Sequence, residues 1–308
     1  MRTLAFRIAA HWQKSALAGR HLLLAALFFL LPAVAGAEIA INDDAGNRVV
    51  LPQPAQRIVS LAPHITELLF AAGAGGRIVG AVEYSNHPQA ANHLPRIGSH
   101  AALDLERIAA LRPDLAIAWG SGNSPAQVEQ LRRLKIPVFV SEPQRLTDIP
   151  ASLRTFGQLA GTDGEAAAHA FAMRLAGLRA RYGKALPVSV FYAIWNQPLM
   201  TVGGGHLINA AIELCGGRNV FAALTQPAAH VALEAVLQAD PEVIVASGMD
   251  EARPEWLDDW RRWPQLRAVR RGNLVFVPPD LLQRHTPRIL DGTERLCAAL
   301  EQARQRGK

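Results

Sequence analysis

Two stretches of the chain carry the same succession of apolar and polar positions. Residues 105–119 read LERIAALRPDLAIAW, and residues 233–247, 128 positions further on, read LEAVLQADPEVIVAS. Each opens on Leu-Glu, runs through a short amphipathic helix, meets a proline followed by an acid, and ends in an apolar run rich in β-formers. Proline ends each helix because its ring disfavours helical geometry in the residue before it. Residues 115–118 and 243–246 are continuously apolar, as strands buried on both faces are. Both copies therefore predict a helix leading into a parallel strand. Such joints also recur by chance in α/β chains, so the flanking sequence decides whether two equivalent lobes are present.

Residues 38–54 read as a polar hairpin, with turn formers at 42–46 between Ile39-Ala-Ile and Arg48-Val-Val-Leu51. A strand over 57–61 breaks at Ala62-Pro63-His64, and Thr66-Glu67 opens a helix that stops at Gly73. A strand over 78–82 ends in the loop Glu83-Tyr84-Ser85-Asn86-His87-Pro88. After the first repeat come a helix over 125–134 and a strand over 137–141. Strands alternating with helices predict an α/β lobe with a mostly parallel sheet.

Thr162-Asp-Gly-Glu165 then has the form of a capping box, and Ala167, Phe171, Leu175, Leu178 and Tyr182 keep one face of the following helix apolar. About 20 residues give about 30 Å, enough to run from one lobe to another. Beyond it, strands at 188–194, 243–246 and 274–277 alternate with helices at 207–215, 255–263 and 288–304. The fold class expected is α/β, two Rossmann-like lobes joined by a single long backbone helix. Its divisions are an N-terminal lobe at 38–157, a connecting helix within 158–186 and a C-terminal lobe at 187–308. Gly- and Pro-rich junctions at strand C-terminal ends should line a cleft between the lobes.

Charge changes the picture only at the N-terminus. The 308 residues carry a formal net charge of +6, but Arg2, Arg7, Lys14 and Arg20 all precede an acid-free apolar run at 22–31, followed by Ala35-Gly-Ala37. That is the layout of a secretory signal peptide over 1–37, with cleavage after Ala37. The run is short for a membrane span, so an uncleaved anchor is the lesser reading. Removing the leader takes the four basic residues with it, which leaves no case for nucleic acid binding. Cys215 and Cys297 would then meet an oxidising compartment. An even count there favours a bridge closing 82 residues, and two buried free thiols are the alternative.

Motifs for covalent chemistry are missing: there is no GxSxG, HExxH or CxxC. The chain is not expected to be an enzyme or to carry a cofactor, a secreted hydrolase being the remote alternative. Gly203-Gly-Gly-His206 lacks the GK[ST] ending of a phosphate loop and reads as a strand-to-helix turn. No convergent set of three or four metal ligands can be assembled, so no resident metal is expected. His64 and His100 fall on cleft loops, where they either hydrogen-bond or ligand the metal of a bound molecule.

At this point the sequence resembles the helical-backbone periplasmic binding proteins that serve ABC importers of metal chelates and corrinoids. Residues 58–67, IVSLAPHITE, look like the opening strand, loop and helix of that family, a feature shared by haem and siderophore binders. Residues 105–119, Cys215-Gly-Gly-Arg-Asn-Val-Phe221 and Pro287-Arg-Ile289 ahead of Cys297 are similar to its corrinoid-binding (vitamin B12) members. The resemblance implies a soluble periplasmic carrier, monomeric when free, that delivers cobalamin or a related corrinoid to an inner-membrane permease dimer with its ATPase. It pairs Cys215 with Cys297 in a disulfide and matches Glu106 and Glu234 to the glutamates, one per lobe, that dock on permease arginines. Two equal charges suit a two-fold partner, whereas each glutamate alone is also a helix-start acid favoured by the macrodipole.

Ligand contacts are expected from Tyr84, from the loop at Pro63 and His64, and from Asp280-Leu281-Leu282-Gln283-Arg284 in the C-terminal lobe. Position 100 is His where the corrinoid binders place a tryptophan, and Leu281 also replaces an aromatic. Trp119, Trp195 and Tyr84 still provide aromatic walls for a broad apolar disc rimmed with amides, and Asn196 an amide partner.

Overall fold

Strands β1 (Ile39–Asn42) and β2 (Arg48–Leu51) pair antiparallel as the expected hairpin. The computed structural model describes residues 38–248 and 252–307, so the expected signal peptide lies outside the described residues. The first sheet has the order β4-β3-β5-β6 and is parallel throughout: β3 (Ile58–Ser60), β4 (Ile78–Ala81), β5 (Leu115–Trp119) and β6 (Val138–Ser141). Its helices are α1 (Pro63–Ala71), α2 (Leu105–Ala110) and α3 (Pro125–Arg133). Helix α1 starts three residues earlier than the sequence suggested. Pro63 occupies its first turn, where a fixed φ suits the helix and no N–H is missed.

Between the lobes the chain forms two helices in succession. The first, α4 (Ile149–Ala160), was not expected. Pro150 and Gly157 argue against a helix in isolation, yet Pro150 falls in the first turn, and Gly157 admits a backbone passing close by. A Cβ at Gly157 would come within 2.6 Å of Gly164 N. Gly161, left-handed at φ 66°, ends α4. The second, α5 (Glu165–Tyr182), is the 18-residue connecting helix, about 27 Å long. Its apolar stripe is buried through Ala168, Phe171, Leu175, Leu178 and Tyr182. The expected capping box is not made. Thr162 instead donates to Ala72 O at 2.6 Å, and Asp163 accepts the Glu165 N–H at 2.8 Å.

The second sheet is mixed. It contains β7 (Val188–Asn196), β8 (Leu199–Val202), β9 (Gly217–Asn219), β10 (Ala228–His230), β11 (Val243–Ala246) and β12 (Leu274–Phe276). The order is β10-β8-β7-β11-β12, with β9 also on β7. β11 lies parallel between β7 and β12, while β8 pairs antiparallel with β7 and β10. The short strands β8, β9 and β10 add to the expected set. Helices α6 (Leu207–Leu214), α7 (Leu233–Ala239) and α8 (Ile289–Gly307) cover the sheet, and residues 255–262 form a 3-10 helix.

The two repeats are structural equivalents. β5 and β11 are both inner strands. Each helix leads into a left-handed residue just before the proline, Arg112 at φ 47° and Asp240 at φ 39°. The acid after each proline then ties its strand to the neighbour. Asp114 accepts the N–H groups of Gln56 and Arg57 at 2.8 and 2.9 Å, and Glu242 accepts Ser189 N–H at 3.0 Å. Burial of Glu242 is outweighed by its bonds to Ser189 and by the Arg267 and Arg271 charges, and its pKa falls below the usual value. Glu106 and Glu234 occupy the second position of α2 and α7, and both are exposed.

One apolar core runs from the hairpin through α1, α4 and α5 to α6 and α8, and two smaller ones lie under the opposite faces of the sheets. Cys215 and Cys297, fully buried in the main core, form the disulfide that joins the end of α6 to α8. Closing an 82-residue loop restricts the unfolded chain. Replacing both cysteines with alanine is expected to lower the unfolding free energy by about 2–5 kcal/mol, read from urea denaturation. An unchanged midpoint and slope would refute a stabilising role.

Candidate functional site

A cavity of about 800 Å³ opens between the lobes. The N-terminal lobe lines it with Trp119, Gly120 and Ser121 after β5, with Val140 and residues 142–144 at the end of β6, and with Asp44 and Ala45 of the hairpin turn. The C-terminal lobe contributes Ile194 of β7, residues 205–208 at the start of α6, Pro227, Gln283 and His285. Nearly all of these follow strand C-terminal ends, where α/β sheets place their ligands.

Trp119 is set by its loop. Its backbone N–H donates to Asn123 Oδ1 at 2.7 Å, and its ring lies on Gly122, where a Cβ would meet the indole at 1.8 Å. Asn123 is buried and also donates to Leu61 O at 2.9 Å and His100 O at 2.7 Å, so one amide staples three cleft loops together. Thr66 Oγ1 lies within hydrogen-bond distance of Ser60 Oγ (2.8 Å) and Ser85 Oγ (3.1 Å), fixing the Tyr84 loop to α1 and β3. Such buried networks hold loops only when every member finds a partner.

Imidazoles collect at the seam between the lobes. The His64 ring packs edge-on to Trp119 at 5.2 Å between centres and meets His285, from the other lobe, at 5.5 Å. The exposed His100 packs on Trp119 at 5.9 Å. His206 caps α6, its Nδ1 accepting the Ile208 N–H at 3.1 Å. Burial pushes the His206 pKa down to about 4, and burial together with the His206 charge does the same for His285. Burial, with His285, Arg284 and His100 nearby, takes His64 well below its ordinary value. His64 Nε2, Trp119 Nε1 and His285 Nδ1 are buried without hydrogen-bond partners. Unpaired buried polar atoms are uncommon in folded proteins, and three together mark this wall.

Beneath the cleft the lobes are clamped. Glu67 of α1, its side chain only 2% exposed, accepts from Arg288 at 2.9 and 2.7 Å and from Arg284 at 2.7 Å. Arg284 also donates to Asn86 Oδ1 and Tyr84 O and pairs with Asp280 at 2.8 Å. Among the described residues no group of three or more His, Cys, Asp or Glu is arranged for a metal ion, and no helix is long and apolar enough to cross a membrane.

The residues singled out in the sequence separate accordingly. Trp119 and Gln283 line the cavity, and His64 and His100 pack directly behind or beside Trp119. Pro63 starts α1, half-buried. Tyr84 is 73% exposed and left-handed at φ 62°, outside the cavity lining, and its carbonyl serves Arg284. Asp280 and Arg284 belong to the clamp. Four more lie outside the cavity lining. Leu282 is fully buried in the core and Leu281 packs against it, because Gly292 of α8 lets that turn sit close. Trp195 and Asn196 are the last residues of β7, paired with β8 rather than lying past a strand end, and Trp195 Nε1 donates to Gln197 O. Asn123, Glu67, Arg288, His206 and His285 were not singled out. Glu67 and Arg288 lay within motifs that carry the resemblance, Asn123 in the turn-forming run Ser121-Gly-Asn-Ser-Pro125 and His206 at the end of the Gly-rich turn, but none had been given a role in the site.

The sequence profile described as "Periplasmic binding protein" matches residues 58–281. The chain is 37% identical over 257 residues to the vitamin B12-binding protein of Vibrio cholerae serotype O1, covering 82% of this chain and 92% of that one. The structure superposes on that of the periplasmic vitamin B12 binding protein BtuF of Vibrio cholerae with a TM-score of 0.75 and 35% identity, over 82% of this chain and 98% of the other. A periplasmic heme binding protein from Pseudomonas aeruginosa is also similar, at 26% identity and a TM-score of 0.68, over 80% and 92% of the two chains.

Two measurements check this arrangement. Glu67→Ala removes the carboxylate that Arg284 and Arg288 share while Asp280 stays beside both, and a loss of about 3 kcal/mol in urea denaturation is expected. His206 and His285 are neutral in the fold, whereas in the unfolded chain they take up protons at the ordinary 6.5. The unfolded state therefore binds more protons below that pH, and stability falls as pH drops from about 6.5 toward 4. A melting-temperature series across this range should show the fall, flattened by His206→Asn, which retains a capping side chain. An equally steep profile in the variant would exclude His206 as a contributor.

Proposed function

The chain belongs to the family of periplasmic binding proteins, and from that premise we propose that it captures a corrinoid, vitamin B12 or a close relative, and delivers it to an ABC importer. The observation that carries this reading is the cleft itself. One wall is an indole fixed by Asn123 and Gly122, the opposite wall holds Ile194 and Leu207, and Ser121, Gln144, Gln283 and His285 are among the polar side chains that share the lining. That combination fits a broad apolar disc with a polar rim. The similarity to the Vibrio cholerae vitamin B12-binding protein supports the same class of ligand. The ligand is carried, not transformed, and no cofactor takes part.

Residues 1–37 serve as the signal peptide, cleaved after Ala37, and the carrier is monomeric until it meets the permease dimer and its ATPase. Glu106 and Glu234 dock it there. They sit at matched positions of the two repeats, and Glu106 borders a groove of about 480 Å³ lined by Leu105, Ala109 and Leu134 together with Gln130 and Arg133. With the connecting helix α5 and the Glu67 clamp both joining the lobes, only small lobe motion accompanies binding.

Calorimetric titration of the mature protein with cyanocobalamin, cobinamide and haemin tests the ligand. One-to-one corrinoid binding with haemin weak is expected, and haemin binding alone would move the protein to the haem carriers. Trp119→Ala should weaken corrinoid binding by at least about 2 kcal/mol, roughly 30-fold, the loss usual for a buried aromatic anchor. The double variant Glu106→Ala, Glu234→Ala should abolish uptake in cells while sparing affinity. Lost affinity in that variant would remove both glutamates from the docking role.

A further inference from the structure

The four imidazoles near the seam differ in which ring nitrogens are engaged. His206 lines the cavity, but its Nδ1 accepts the Ile208 N–H. In a neutral ring the proton then sits on Nε2, so His206 offers the cleft a donor and no lone pair. His64 is buried against Trp119 and His285 and does not line the cavity. His100 is exposed and is likewise outside the lining. Among the described residues, His285 alone combines a place in the cavity wall with ring nitrogens that no protein group engages. Its Nδ1 is sealed from solvent, so Nε2 is the nitrogen available to meet a ligand in the cleft.

We propose that His285 Nε2 is an axial ligand to the metal of the bound molecule, coordinating the cobalt of a corrinoid that arrives with an exchangeable axial position. This rests on the corrinoid reading above. Imidazole is a suitable donor for a transition metal of this kind. A ring that stays neutral down to about pH 4 keeps its lone pair available throughout the neutral range. No cluster of three ligands accompanies it among the described residues, so the site is not built for a free ion. A single donor suits a metal whose equatorial positions the macrocycle already fills.

The step is a ligand substitution. The bond from cobalt to an axial water breaks, the water leaves with both electrons of that bond, and the Nε2 lone pair forms the cobalt–nitrogen bond. The bound ring carries its one proton on Nδ1, and the metal's oxidation state is unchanged. The consequence is selectivity: corrinoids with an open or water-filled axial position gain a bond that those blocked on both faces do not.

The test uses the mature protein and Co(II) cobinamide, which has no nucleotide base of its own, read by electron paramagnetic resonance. Calorimetry with cobinamide and cyanocobalamin runs in parallel. Coordination by one histidine nitrogen splits the high-field cobalt lines into triplets, and labelling histidine with 15N turns them into doublets. The triplet is expected in the unsubstituted protein and its loss in both His285→Gln and His285→Asn, each checked for folding by circular dichroism. Cobinamide binding heat without a triplet, or a triplet that survives in the folded His285 variants, would overturn the ligation and leave the corrinoid reading standing. No heat from either corrinoid would overturn both.

Discussion

A carboxylate removed from water at the meeting of two lobes has to be answered by cations, and Glu67 is answered by two. It sits in the first helix of the N-terminal lobe, while Arg284 and Arg288 lie just ahead of the last helix of the C-terminal lobe. Burying an ion pair yields little net stability, but removing one partner is severe. The arrangement therefore selects one relative placement of the lobes over others. Arg284 extends the constraint, since the same guanidinium holds the Tyr84 loop through its carbonyl and Asn86. The cleft inherits its shape from this seam: Gln283 and His285, on either side of Arg284, are both in its wall.

A second constraint is the duplicated helix–proline–strand unit. A non-glycine residue held left-handed before proline is strained in both copies, and it persists because the next acid is locked to the neighbouring strand. The lock fixes each helix against its sheet. Glu106 and Glu234 thus present the same charge at the same point of equivalent units.

The cleft wall reads as a binding surface because of what it leaves unpaired. Trp119 Nε1, His64 Nε2 and His285 Nδ1 are shielded from water without a protein acceptor or donor. Close by, Asn123 is fully paired and joins three loops. Unpaired polar atoms buried around an aromatic side chain cost stability, and a binding site is where such a cost is tolerated.

The alternation of strands and helices, the two lobes, the connecting helix and the repeat were legible from the sequence, because continuous apolar runs, prolines and helix stripes are local signals. So was the pairing of the two cysteines, and Trp119, expected at the cleft, lines the cavity. Helix α4 was missed because Pro150 and Gly157 count against a helix until tertiary contacts show the first at an N-terminus and the second at a close approach. Arg284 and Asp280 looked like ligand contacts, and only the folded chain brought Glu67, 217 residues from Arg284, against them. Leu282 and His285 are three residues apart, yet one faces the core and the other the cleft. Pattern along the chain determined which elements form. Which side chains meet across the lobes is decided by long-range packing, which leaves no period in the sequence to read.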